Sequence, residues 1–311
     1  MGSPDIRAAF LAYVDQSTHP LCHIDINNVL ITSGAKHAIC LAFLSMVRAG
    51  DKVLLPNPGW PLYAIWTSTL GAEVSWYDAS DACAEMLIRE IRSGSFSHVV
   101  INSPNNPTGI EYAQDVINLI AESAREAKIS ILSDEVYRCF SIKGGTFLPH
   151  VSNNGERVIV ADSLSKFAGA AGLRLGFLVG GQDTVDAART IRAITDSCPP
   201  GIIQPMGTYL LSAYADDFRD GIRKRGQLAV ARLVELLTLE CIHVESSGAI
   251  YLWVLSDNED GRLVISNGRV LRGIPGRKFG KPGYVRLCPV TDDPSCTELL
   301  GIDLSFSGVI R

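Results

Sequence analysis

Lys166 is the residue of this chain best placed for covalent chemistry. It lies in the stretch DSLSKFAGAAGLRLG, between the hydroxyl residues Ser163 and Ser165 and a run of Gly and Ala, with Arg174 eight residues on. A lysine held where desolvation and a neighbouring cation disfavour ammonium can lose its proton. The neutral amine can then attack a carbonyl and form a Schiff base. Ser163 and Arg174 suit an anionic group such as phosphate. A surface lysine in a loop of small residues has the same local composition, so the other motifs must decide.

Four further stretches carry residues of the right kind. Ser33-Gly34-Ala35 turns an apolar run into a helix, which leaves free backbone N–H groups and a positive dipole end facing one spot, a natural phosphate seat. Lys36 can add charge there or lie exposed on the helix, and His37 reads as a polar helix residue, not a ligand. In PNPGWPLY, two prolines flank Gly59-Trp60 and stiffen the backbone where an indole is presented. Trp60 can stack on a planar heteroaromatic ring or fill a core under the turn. Asn106, in SPNNPTG, offers a side-chain amide donor. Asp134, in SDEVY, can hold a positive charge on a ring nitrogen or cap a helix, and Tyr137 follows three residues on.

Such residues need a frame. VIVAD (residues 158–162) is a β-branched apolar run that reads as a buried strand, with Lys166 in the turn at its C-terminal end, where open α/β sheets keep their ligands. The same reading gives strands at residues 28–32, 51–55, 72–77, 98–102, 130–132 and 176–180. Helices are expected at 6–14, 37–47, 84–92, 114–127, 184–195, 203–214 and 218–239. Short strands at 248–254, 269–273 and 283–288 and a final segment complete the chain.

The 311 residues, 47% of them hydrophobic, suit one large or two medium domains with a real core. A net charge of −5 argues against a nucleic-acid surface. No apolar run approaches the roughly 18 residues that span a bilayer, and the N-terminus lacks the build of a signal peptide or a myristoylation site. Eight cysteines stand singly with no CxxC pair, which fits reduced thiols in a cytosol.

Taken in order, Ser33-Gly34-Ala35, PNPGWPLY, NNPTG, SDEVY and SLSK with GLRLG resemble the class I/II aminotransferases of the pyridoxal phosphate fold-type I group. The spacing agrees, with 28 residues from Asn106 to Asp134 and 32 from there to Lys166. The resemblance runs from about Ile6 to Arg286. It implies a three-layer α/β/α sandwich with a mainly parallel sheet, over residues 1–225, and a smaller α+β domain over 226–311, joined by a long helix. It also implies pyridoxal 5′-phosphate as cofactor, no metal, and a homodimer in the cytoplasm without nucleic-acid or membrane partners.

The roles carried by the resemblance are specific. Lys166 matches the Schiff-base lysine, which becomes the base once freed. Asp134 matches the partner of the pyridinium nitrogen. Asn106 and Tyr137 match the donors to the ring's phenolic oxygen, and Trp60 matches the stacked aromatic. Ser33, Gly34, Ala35, Ser163 and Arg174 match the phosphate cup, with Lys36 a lesser candidate. Arg286, in GYVRLC, matches the arginine that binds the substrate carboxylate beside Asn106 and Trp60, where a guanidinium offers a planar fork that a lysine lacks.

The family usually carries a further stretch ahead of the matched segment, with a loop over the substrate and residues reaching the partner's site. This sequence starts almost at RAAFLAY, and residues 254–266 are short for the family's usual helix, so substrate closure is expected to differ. The implied activity is ping-pong transfer of an amino group between an α-amino acid and a 2-oxo acid. A lyase, cyclase or oxidase on the same scaffold, or a non-catalytic cofactor-binding protein, would carry much the same motifs.

Overall fold

The structure, a computed structural model, describes residues 1–15, 24–152, 157–256, 258–266 and 268–290. Helix α1 (Pro4–Asp15) is followed by strand β1 (Val29–Thr32), helix α2 (Ala35–Met46), β2 (Lys52–Asn57), α3 (Leu62–Thr69) and β3 (Glu73–Asp78). Next come α4 (Glu85–Arg92), β4 (His98–Asn102), α5 (Gln114–Glu126), β5 (Ser130–Asp134), β6 (Val158–Ser163), α6 (Leu164–Phe167) and β7 (Gly176–Val179). Helices α7 (Gln182–Thr195), α8 (Gln204–Leu211) and α9 (Asp216–Leu239) precede the short strands β8 (Val244–Gly248), β9 (Tyr251–Leu255), β10 (Arg262–Val264), β11 (Val270–Arg272), β12 (Ile274–Pro275) and β13 (Tyr284–Leu287).

Strands β1 to β7 form one sheet in the order β1-β7-β6-β5-β4-β2-β3. From β3 through β6 every pair is parallel, and β7 runs antiparallel to β6 and β1. Both faces are covered, which is why these strands read as continuous apolar runs. Val99, Ile101, Ile131 and Val160 pack with Phe10 of α1, Leu87 and Ile91 of α4, and Ile117 and Ile120 of α5. Val100, Leu132, Ile159 and Ala161 face the other way, onto Leu41 and Phe43 of α2, Tyr63 of α3, and Val185 and Ala188 of α7. The result is the expected three-layer α/β/α sandwich.

A second sheet, β12-β13-β9-β8, packs with the hairpin β10-β11 on the C-terminal half of α9, burying Leu233 and Leu237 against Leu252, Val254, Leu271 and Val285. Ile222, nearer the start of α9, instead joins Tyr137, Phe140, Ile250 and Tyr251. The position near residue 225 therefore falls within one unbroken helix. The second sheet meets the first at NPTG, where Gly109 and Gly248 touch backbone to backbone, so that a Cβ on Gly109 would lie 2.4 Å from the Gly248 nitrogen. Among the described residues, no helix is long and apolar enough to cross a membrane.

Three local expectations differ from what folds. Residues 62–69 form a helix that the prolines of PNPGWPLY concealed, because Pro61 caps its start instead of breaking it. Residues 248–254 are not one strand: Ala249, at φ 50°, turns the chain between β8 and β9. Lys166 sits in α6 directly after β6, not in an open turn. The segment short for a helix holds β10 and β11, and the final segment after residue 290 lies outside the described residues.

Candidate active site

The site forms at the carboxyl edge of the parallel strands, where β4 and β5 end level with one another and β6 runs two residues farther. Asn102 pairs with Asp134, and Asp134 with Ala161, one residue short of Asp162. Asp134 is buried, and its Oδ2 accepts a 2.6 Å hydrogen bond from the Tyr63 hydroxyl while Oδ1 accepts from the Val136 N–H at 3.3 Å. Among the described residues no Lys, Arg or His forms an ion pair with it. Burial pushes its carboxyl up to about 6, and nearby Asp162 adds to the rise against the pull of Tyr63 and Val136.

Two arcs of contacts spread from Asp134. In one, the Asn102 amide donates to the Asp134 carbonyl at 2.9 Å and accepts from the Asn106 N–H at 2.7 Å. The Asn106 Oδ1 in turn accepts from Arg286 Nη1 at 2.6 Å. The Arg286 guanidinium stacks 4.4 Å over the Tyr251 ring and 5.1 Å over Phe279, and its buried Nε has no hydrogen-bond partner among the described residues. The Tyr251 hydroxyl meets that of Tyr137 at 2.5 Å, and Lys166 Nζ lies 5.8 Å over the Tyr137 ring. Lys166 makes no hydrogen bond or ion pair among the described residues and is half-buried. Burial raises the Tyr137 phenol well above its usual range.

The other arc leads to the anion seat. Trp60 packs edge-on to Tyr63 at 5.3 Å, and Lys36 Nζ lies 5.9 Å over the Trp60 ring. Lys36 belongs to the first turn of α2, whose N-cap Gly34 supplies no side-chain cap and sits at φ 83°, where a Cβ is strained. Gly176 of β7 lies directly behind, so close that a Cβ there would be 2.4 Å from the Gly34 carbonyl carbon. Arg174 is exposed and donates from Nη2 to the Ser33 carbonyl at 3.1 Å and from Nη1 to Ala171 at 3.0 Å. Ser163 is buried at the β6–α6 junction. The Ser33 hydroxyl donates to Asp196 at 3.2 Å, so a carboxylate borders the seat.

All the expected site residues thus fall into one connected region. Tyr63, Asn102 and Tyr251 join them without having been singled out, although Tyr63 lies inside the quoted motif PNPGWPLY. A buried ion pair supports the region from behind: Arg138 Nη2 reaches Asp162 Oδ2 at 2.8 Å and ties the turn after Tyr137 to the end of β6.

Known proteins share this fold. The family model for aminotransferase class I and II matches residues 1–301. The chain belongs to that family. It is 28% identical over 284 residues to the aspartate aminotransferase of Thermotoga maritima, covering 89% of this chain and 74% of that protein. The corresponding enzyme of Pyrococcus horikoshii is 27% identical, covering 96% of this chain and 80% of its own. Among solved structures, an aminotransferase from Mycobacterium tuberculosis superposes with a TM-score of 0.83 at 25% identity, covering 96% of this chain and 80% of that one. The aspartate aminotransferase of Thermus thermophilus with maleate gives 0.82 at 23% identity, over the same shares.

The chain is accordingly a pyridoxal-phosphate-dependent aminotransferase, and its donor set fits that cofactor. The cofactor's charged groups would answer what the described residues leave open: a buried carboxylate with no cation among them, an amine with no partner among them, and a helix N-terminus without a side-chain cap.

Proposed function

We propose that this chain transfers the amino group of an α-amino acid to a 2-oxo acid in two half-reactions, and that aspartate is among its donors. The observation that carries the reading is Arg286, held on Asn106 with its buried Nε unpaired among the described residues, at the end of an arc that begins at Asp134. Such a guanidinium is prepared for a carboxylate. Aspartate is suggested by the names of the relatives above.

Bound pyridoxal phosphate supplies an electron sink for the charge left on Cα. Each protein group has one task in this reading. Lys166 anchors the cofactor and, once free, moves the proton at Cα. Asp134 keeps a proton on the ring nitrogen. Tyr137 donates to the phenolic oxygen, and so does Asn106, whose Oδ1 is engaged with Arg286 while Nδ2 stays available. Trp60 covers one face of the ring and borders the substrate. Ser33, Gly34, Ala35, Ser163 and Arg174 hold the phosphate.

We further read residues 1–225 as the large domain and 226–311 as the small one. The protein would work as a homodimer in the cytoplasm. A partner copy is supported by the exposed apolar side chains Ile202, Met206 and Tyr209, 86%, 53% and 59% exposed, along α8 and the turn before it. The six described cysteines are free, in keeping with a reducing compartment.

The test is a single turnover with aspartate and no 2-oxo acid. The reading expects one equivalent of oxo product per bound cofactor, no ammonia, and renewed turnover once a 2-oxo acid is added. Continuous ammonia release would instead mark a lyase.

A further inference from the structure

Tyr251 has no task in the scheme above, yet it touches two residues that do. It lies on β9, 3% exposed, and β9 pairs with β13, which carries Arg286. Its hydroxyl is 2.5 Å from that of Tyr137, with the rings edge to face at 73°. Its ring face carries the Arg286 guanidinium at 4.4 Å.

Two phenols that share one hydrogen bond must divide the roles. If Tyr137 donated to Tyr251, its proton would be unavailable to a cofactor. If Tyr251 donates, Tyr137 accepts and keeps its own proton free, and the accepted bond polarises that proton further. The surroundings favour the second arrangement. Arg286, stacked on the Tyr251 ring, draws charge toward itself and makes that hydroxyl the better donor. Lys166 exerts the same pull on Tyr137 from farther off, 5.8 Å against 4.4 Å for Arg286 over Tyr251, so the pull on Tyr251 is the stronger. Asp134 acts on both phenols and does not separate them, and Cys288 beside Tyr251 is buried with its thiol pushed up, so it adds no charge.

We propose that Tyr251 is a positioning residue: its hydroxyl donates to Tyr137 and so directs the Tyr137 proton to the cofactor's phenolic oxygen, while its ring holds Arg286 for the substrate carboxylate. This rests on the aminotransferase reading and adds to it a physical link between the carboxylate site and the cofactor site. The two halves of the side chain have separable effects, one on the cofactor and one on the substrate.

The experiment compares the wild-type holoenzyme with Tyr251→Phe, Tyr251→Leu, Tyr137→Phe and the Tyr137→Phe/Tyr251→Phe double variant. The readouts are the pH midpoint of the bound cofactor's absorbance and KM for an amino acid donor. Tyr251→Phe should raise the midpoint by up to about half a pH unit, a fraction of one neutral hydrogen bond because Tyr251 acts through Tyr137, and leave KM within about twofold. Tyr251→Leu should raise the midpoint equally and also raise KM by roughly 2- to 30-fold, through loss of the stacked ring. In the Tyr137→Phe background, Tyr251→Phe should move the midpoint no further, whereas a merely structural role would shift both backgrounds alike. An unchanged or lowered midpoint in Tyr251→Phe overturns the proposal. Should Tyr251→Phe fail to fold, Tyr251→Leu decides by its midpoint. A wild-type protein that binds no pyridoxal phosphate overturns the aminotransferase reading itself, so the two failures are distinct.

Discussion

Replacing Asp134 by Asn should stabilise the cofactor-free protein as pH rises, because the carboxylate is buried without a cation. Asn keeps an acceptor at only one of the two positions used by the Tyr63 hydroxyl and the Val136 N–H, a loss that does not depend on pH, and it cannot ionise. The Asp134 carboxyl stands at about 6 in the folded chain against an ordinary 3.8. A carboxyl raised in this way binds its proton more tightly when folded. Its contribution is therefore fully present below the unfolded value and is lost as pH climbs from about 4 through 6. One pKa unit is worth about 1.4 kcal/mol, so the wild type should lose about 2–3 kcal/mol between about pH 4 and pH 7 through this group alone. Any packing cost of Asn is independent of pH and cancels in the comparison. Urea unfolding of both cofactor-free proteins across that range gives the variant-minus-wild-type difference, which should grow by that amount. Saturating pyridoxal phosphate should reverse the order, since a ring cation then stabilises the carboxylate and binding adds to the wild type's stability. A difference that stays flat with pH would refute the claim that Asp134 is an uncompensated buried acid.

Three other substitutions probe separate parts of the site. Arg286→Leu should weaken productive binding of any α-amino acid by about 2–5 kcal/mol, read as kcat/KM, with Arg286→Lys recovering only part; unchanged kinetics in the Leu variant would return Arg286 to an ordinary strand residue. Arg138→Leu should cost about 3–5 kcal/mol in chemical denaturation, because it leaves Asp162 and Glu135 buried without their cation, and an effect below about 1 kcal/mol would dismiss the ion pair as a support. Gly176→Ala should drive a methyl into the Gly34 backbone and displace the start of α2, so that affinity for pyridoxal phosphate falls at least about tenfold; wild-type affinity in a folded variant would show that α2 does not seat the phosphate.

The sheet was legible because its strands are buried on both faces and end at marked places. HVVIN and VIVAD are too short and too rich in β-branched residues to favour a helix, and each is followed by a polar motif at the carboxyl edge. Asp134, Asn106 and Lys166 could be picked out for the same reason: each stands at or just beyond the end of a readable strand. Helix α3 was hidden because proline is both a turn former and an acceptable first residue of a helix, and PNPGWPLY supplies no way to choose. Tyr63, Asn102 and Tyr251 escaped for another reason. Their importance lies in partners distant in sequence, with 71 residues between Tyr63 and Asp134 and 114 between Tyr137 and Tyr251. Nothing local in PLY or AIYLW declares such a partner, since an aromatic in an apolar run is ordinarily core. The carboxylate bordering the anion seat, Asp196, sits 163 residues from Ser33 and was equally beyond local reading.

The claim on which everything else depends is that Lys166 is the lysine that joins the cofactor. Its amine is half-buried, unpaired among the described residues and 5.8 Å over the Tyr137 ring. The direct measurement is borohydride reduction of the protein with pyridoxal phosphate, followed by proteolysis and mass mapping of the labelled peptide. The account predicts a single label on Lys166, and Lys166→Ala should bind the cofactor without becoming labelled. A label on Lys36 or any other lysine, or full labelling of the Lys166→Ala variant, would contradict it.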